Sequence, residues 1–311
     1  MDKDDVLISK ILKADERTIG QTISLIENQK EEGIQILKKL YKRGGRAKIV
    51  GFTGPPGAGK STLIQALASI LVEENKKVGI VAVDPTSPFS GGALLGDRIR
   101  MQNLFTNPNV FIRSMATRGS FGGLAPMTMD VVDLLDAAGF DWILVETIGV
   151  GQDEIDVALS VQEVVVVLVP GLGDEIQALK AGIMEIGDLF VINKADRDGA
   201  ELTFMEIKYL IEMDTKKGKI PKIIKTKAVL KEGIEELKNA IEEDLKRSEK
   251  EKNIKEKRKA QLSSRLMQIL TKDFQKLVLK NEKFDEIINN LISRKIDPYS
   301  AAEIIKEKIL C

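Results

Sequence analysis

Residues Gly54-Pro55-Pro56-Gly57-Ala58-Gly59-Lys60-Ser61 fit the pattern G-x-x-x-x-G-K-[ST] at every fixed position. No other feature narrows the fold as much. Such a loop works only where backbone N–H groups turn inward around phosphate oxygens at a helix N-terminus, so it needs a buried strand before it and a helix after it. Both flanks are present: an apolar run, KIVGFT (48–53), and a helical pattern, STLIQALASILVEE (61–74). In this setting Lys60 reaches the β- and γ-phosphates, Ser61 offers its hydroxyl to Mg²⁺, and Thr62 caps the α-phosphate side.

Further short apolar runs alternate with helical patterns: VGIVAV (78–83), VFIR (110–113), WILVE (142–146), VVVVLV (164–169), LFVIN (189–193) and KIIKT (222–226). Strands that are apolar throughout, separated by helices, predict an α/β fold with a mostly parallel sheet covered on both faces. Residues 1–45 read as an N-terminal helical extension, with Leu25, Ile26, Ile34, Leu37 and Leu40 at roughly helical spacing and Gly44-Gly45 ending the pattern. Residues 46–247 read as the phosphate-loop domain and 248–311 as a C-terminal helical extension. In that last segment Leu262, Leu266, Ile269, Leu270, Phe274, Leu277 and Leu279 mark an apolar face that needs a partner, and Asp297-Pro298 opens a last helix. Between Lys246 and Lys259, 11 of 14 residues are charged and eight are basic, which reads as the solvated face of a long helix or as a basic partner surface.

Asn193-Lys194-Ala195-Asp196 follows the run LFVIN and has the form N-K-x-D, which reads guanine. A carboxylate at Asp196 can accept from guanine N1–H and from the exocyclic amine, a donor pair that adenine lacks. The Lys194 stem can lie along the base, and Asn193 can tie this loop to the phosphate loop. After the next run, Lys227, Ala228 and Val229 are further candidate base contacts. The backbone N–H of Ala228 suits guanine O6, whereas Lys227 stands where Ser is usual.

Glu146 ends the run WILVE and is followed by Thr147-Ile148-Gly149. A carboxylate there can hold Mg²⁺ directly or through water, and the Gly149 N–H can meet the γ-phosphate. Val150 occupies the place of the water-orienting Gln of many GTPases, so slow intrinsic hydrolysis is expected. Asp84 and Asp97 bracket a Pro-, Gly- and Ser-rich stretch with the makings of a switch that senses Mg²⁺ and the γ-phosphate. Two more Gly-rich stretches follow strands, RSMATRGSFGGLA (113–125) and PGLGDEIQALKAG (170–182), and so point to the ligand edge of the sheet.

Composition removes other chemistry. There is no His, and Cys311 is the only Cys, so His-based acid–base catalysis, His/Cys metal centres and an intrachain disulfide all fall away. That argues against a GTPase that delivers nickel or zinc. The formal net charge is zero, against a broad nucleic-acid surface, and no apolar run approaches the roughly 20 residues of a membrane span. The nine Met are not clustered as a signal-sequence-binding groove would need. No signal peptide is evident in MDKDDVLISK, and a cytoplasmic location is expected.

Taken together, GPPGAGKST, VDPTSPFSGGALLGDRIRM, RGSFGGLA, ETIGVGQDEID, PGLGDEIQALKAGIMEIGD and NKAD closely resemble the methylmalonyl-CoA mutase-associated GTPases, the MeaB/ArgK family. The resemblance implies a homodimeric, Mg²⁺-dependent GTPase that gates cofactor loading of an adenosylcobalamin-dependent acyl-CoA mutase and protects that mutase. Cobalamin would be involved only through the mutase. The resemblance also implies that Ser61, Asp84, Asp97 and Glu146 handle Mg²⁺, that Lys60, Asp97, Glu146 and Lys180 serve catalysis, and that the C-terminal helices help dimerisation. An older family label, arginine/ornithine transport kinase, finds no kinase substrate site in the sequence.

Overall fold

The computed structural model describes residues 3–84, 104, 106–116, 124–147, 160–171, 183–213, 220–248, 252–281 and 283–310. The switch stretch from Asp84 to Asp97 beyond Asp84 itself, most of the two other Gly-rich stretches, Gly149 and Lys180 lie outside them. The chain divides into two compact units, 1–255 and 256–311.

The first unit opens with helices α1 (Lys3–Ile11), α2 (Glu16–Glu27) and α3 (Glu31–Leu40). It continues with β1 (Lys48–Thr53), α4 (Lys60–Glu73), β2 (Val78–Asp84), β3 (Val110–Ala116), α5 (Leu124–Ala137), β4 (Trp142–Thr147) and β5 (Glu163–Leu168). Then come α6 (Ile183–Ile186), β6 (Leu189–Ile192), α7 (Ala200–Met213), β7 (Lys222–Lys225) and α8 (Ile234–Ser248). The strands form one parallel sheet of seven in the order β3-β2-β4-β1-β5-β6-β7. Each of the seven apolar runs became a strand. Those covered on both faces cannot alternate apolar with polar, and β4, β5 and β6 are buried at every position.

Each face of the sheet carries its own core. On one, Leu63, Leu67 and Leu71 of α4 and Leu237 and Ile241 of α8 pack with Phe52, Leu144, Val165 and Val191. On the other, Leu134 and Leu135 of α5 and Ile207 of α7 pack with Val81, Val145 and Val166. The N-terminal helices join this second core through Ile11, Ile19, Ile23, Ile36 and Leu40, each at most 1% exposed. Fully burying one such side chain is worth about 2 kcal/mol, so these helices complete the sheet's cover. Of the residues at helical spacing, Ile26 and Leu40 are buried, whereas Ile34 is 36% exposed. A carboxylate fastens the exit from these helices to the sheet. Buried Asp136 of α5 accepts from the amides of Gly45, Arg46 (3.1 Å) and Ala47 (2.9 Å) just before β1.

The second unit contains most of α9 (Lys252–Leu279), with α10 (Phe284–Ile292) and α11 (Pro298–Leu310). Asp297 caps α11, accepting from the amides of Tyr299 and Ser300 and from the Ser300 hydroxyl at 2.6 Å. The Ser300 bonds, hydroxyl first, hold this carboxyl below its ordinary range. On α9, Leu262, Leu266, Ile269, Leu270, Leu277 and Leu279 are between 40% and 58% exposed.

Candidate functional site

The phosphate loop joins the end of β1 to α4, at the carboxyl edge of the sheet. Two of its glycines are there for steric reasons. Gly54 has φ +141°, and a Cβ would lie 2.1 Å from the Val167 carbonyl oxygen on neighbouring β5. Gly59 has φ +86°, and a Cβ would lie 2.4 Å from Asn193 Nδ2. A side chain at either position would push the loop off its neighbours. Lys60 is buried, and its ammonium donates to the carbonyls of Gly54 (2.7 Å) and Pro55 (3.0 Å), folded over the loop it must serve. Phosphate oxygens are stronger acceptors than these carbonyls, and the ammonium sits where the loop would hold them.

β4 lies directly beside β1, in register Phe52 to Glu146. This brings the Glu146 carboxylate, 4% exposed, to the start of α4, where Ser61 Oγ donates to Glu146 Oε1 at 2.6 Å. On the other side of β4, Ala82 of β2 is level with Glu146, so Asp84 stands two residues further along the same edge. Among the described residues no group of three His, Cys, Asp or Glu converges. The donors fit Mg²⁺ nonetheless, because a hydroxyl and a buried carboxylate in contact are the protein's share of a site that phosphate oxygens and water complete.

The base end is built by two loops, after β6 and after β7. Asn193 is the hub. Its Nδ2 donates to the Ala58 carbonyl at 3.0 Å, and its Oδ1 accepts from Thr226 Oγ1 and from the Ala228 amide, both at 3.2 Å. One side chain thus joins the phosphate loop to both base loops. The Ala195 amide donates to the Thr226 carbonyl at 3.1 Å and reinforces the join. Lys194 has φ +55°, and its ammonium reaches back to the Gly57 carbonyl at 2.9 Å. Asp196 is exposed, open to an incoming base. The Val229 side chain is 84% exposed.

The sequence reading brought Asn193 to the phosphate loop correctly. The Ala228 amide, expected at guanine O6, here donates to Asn193 Oδ1. Thr226 as a hydrogen-bonding partner and Glu232 are not among the expected residues. The Lys227 ammonium pairs with Glu232 at 2.6 Å, and this bond, ahead of all other causes, raises its pKa above the ordinary 10.5. A lysine followed five residues later by a glutamate was the only available sign.

A phosphate loop on the central strand, an adjacent carboxylate strand and an N-K-x-D loop on the far side define a P-loop GTPase. Residues 19–283 match the family described as methylmalonyl Co-A mutase-associated GTPase MeaB, and the chain belongs to that family. A Pyrococcus abyssi protein described as a GTPase is 47% identical over 98% of this chain and 97% of its own. The Caenorhabditis elegans protein named methylmalonic aciduria type A homolog, mitochondrial, is 31% identical over 96% of this chain and 80% of its own. In fold, the crystal structure of an LAO/AO transport system kinase superposes with TM-score 0.73 at 24% identity, covering 100% of this chain and 99% of that one. No helix among the described residues is long and apolar enough to cross a membrane.

Proposed function

We propose that this GTPase is a chaperone of an adenosylcobalamin-dependent acyl-CoA mutase, gating cofactor loading and protecting the mutase through cycles of GTP binding and hydrolysis. The observation that carries the reading is membership of the mutase-associated family together with a nucleotide site whose base loops and phosphate loop are joined through Asn193. The relative named for methylmalonic aciduria supports it. A metal-delivery role is disfavoured by the lack of His and by Cys311 standing alone.

In this reading Asp196 takes the guanine donors and Asn193 keeps the base loops against the phosphate loop. Lys60 meets the β- and γ-phosphates, where its charge stabilises the negative charge that develops as water attacks in line. Ser61 and Glu146, with Asp84 and Asp97, would hold Mg²⁺, which neutralises phosphate charge when bound. Gly149 and Lys180 complete the γ-phosphate end. The exposed apolar face of α9 serves a homodimer.

GTP turnover, measured alone and with the same organism's B12-dependent acyl-CoA mutase, tests the proposal. Stimulation by the mutase supports it. Normal GTP binding with turnover indifferent to the mutase overturns the chaperone reading and leaves the GTPase.

A further inference from the structure

Lys227, where Ser is usual, closes a tight loop. Its amide donates to the Glu232 carbonyl at 3.0 Å, and the Glu232 amide returns to the Lys227 carbonyl at 3.3 Å. The two side chains close the same loop with the 2.6 Å ion pair. Gly233 follows with φ +77°, where a Cβ would lie 2.3 Å from the Lys225 carbonyl oxygen, so the backbone is tight just beyond the pair as well. Within this loop lies the Ala228 amide that meets Asn193.

The same loop lies against the one that carries Asp196. The Ala195 amide donates to the Thr226 carbonyl, so Asp196 and Lys227 are each one residue beyond a shared hydrogen bond. Both Glu232 and Asp196 act favourably on the Lys227 charge. One carboxylate pins the ammonium; the other is the candidate ligand of guanine. A serine here would offer Asp196 a hydroxyl and no charge, whereas lysine offers a charge. When a base covers Asp196, its carboxylate loses water, and a fixed cation nearby offsets that cost.

We propose that Lys227, held by Glu232, is a positioning residue for base recognition, its ammonium stabilising the Asp196 carboxylate for the two N–H donors of guanine. This rests on the reading of Asn193–Asp196 as the guanine pocket. Glu232 decides where the charge sits, and the charge acts on Asp196, so the pair works in one polarity only.

The test compares the native protein with Lys227→Met, the swap Lys227→Glu with Glu232→Lys, and Asp196→Asn. Affinities for fluorescent GDP and XDP are measured at low and high salt, with the melting temperature alongside. Lys227→Met should weaken GDP binding about three- to five-fold at low salt, as suits an exposed charge pair, and the loss should shrink at high salt. The swap rebuilds the ion pair but sets a carboxylate beside Asp196. Its melting temperature should return to the native value while its GDP affinity falls below that of Lys227→Met. A swap that recovers affinity as well means the pair only fastens the loop, and the proposal is overturned. Unchanged GDP affinity in Lys227→Met overturns it too, and that variant's salt dependence decides alone if the swap fails to fold. Asp196→Asn tests the underlying reading, since xanthine presents an acceptor where guanine has its amine. If Asp196→Asn does not shift preference to XDP, the pocket reading falls and takes this proposal with it. If it does shift while Lys227→Met is silent, only the role of Lys227 falls.

Discussion

At the base end of the nucleotide site, Asn193 is bonded to Ala58, Thr226 and Ala228, which lie in two other loops. At the phosphate end, Lys60 is bonded to the carbonyls of Gly54 and Pro55, within its own loop. The first arrangement ties distant parts of the chain together, and the second is local to one loop. The base end is therefore held by tertiary contacts, and the phosphate end places a cation where it can make the stronger, charge-assisted bonds that phosphate offers. The contrast assigns the two ends different work: the base end sets specificity through the loops that Asn193 joins, and the phosphate end supplies charge.

Four experiments break or sharpen this contrast. Lys60→Ala removes the phosphate-end cation, and GTP and GDP affinity should fall about 100-fold or more, since charge-assisted bonds to phosphate are lost; titration showing native affinity would take this loop out of the nucleotide site. Asn193→Ala strips three groups of their partner in the ligand-free protein. Its stability without nucleotide should drop by about 1–3 kcal/mol in denaturant unfolding, and no drop would mean that Asn193 does not fasten the base loops to the phosphate loop. Glu146→Gln keeps an acceptor for Ser61 and removes the charge. Binding of Mg²⁺·GTP should weaken about 10-fold while metal-free GDP binding stays near native; equal losses with and without Mg²⁺ would remove Glu146 from the metal site.

The smallest effect is predicted away from both ends. Lys48, at the opposite end of β1 from the phosphate loop, pairs with Glu242 at 2.5 Å and lies over the Trp142 ring at 4.6 Å. The Lys48 hydrogen bond, first among the causes, holds the Glu242 carboxyl below its ordinary 4.5. A carboxyl with a lowered folded-state pKa stabilises the fold above that ordinary value, and its contribution is lost as pH falls through the folded value. Lys48→Met should therefore cost under about 1 kcal/mol at neutral pH and flatten the acid limb of stability below pH 4.5. Nucleotide affinity should not change, and a change would couple this end of β1 to the site.

The sequence exposed those parts of the site that depend on short spacing. The phosphate loop, N-K-x-D and the acid near the end of β4 are each read from a short stretch, and each fell at the end of a buried strand that hydrophobicity alone marks. Parts that depend on distant pairs stayed hidden. Nothing local says that Asp136 will collect three amides beside β1, that Thr226 will meet Asn193, or that Lys60 will rest on its own loop. The N-terminal helices show the same limit. Helical spacing revealed that they are amphipathic, but Ile34 and Ile36 look alike in a sequence, and only packing against α5 and the sheet sends one outward and one in. On α9 the apolar face was legible, and among the described residues it stays largely exposed, as an association surface would be.

The strand order has a consequence for biosynthesis. β1 carries the phosphate loop at the centre of the sheet, and both its neighbours, β4 and β5, are encoded far downstream. While a ribosome is still making the intervening chain, β1 has emerged with neither side paired. Its apolar residues Val50 and Phe52 then form an open template for other chains, and pairings between distant segments close slowly. The strand that emerges first thus waits for both neighbours, and the nascent chain carries this open template until Leu168 has left the exit tunnel.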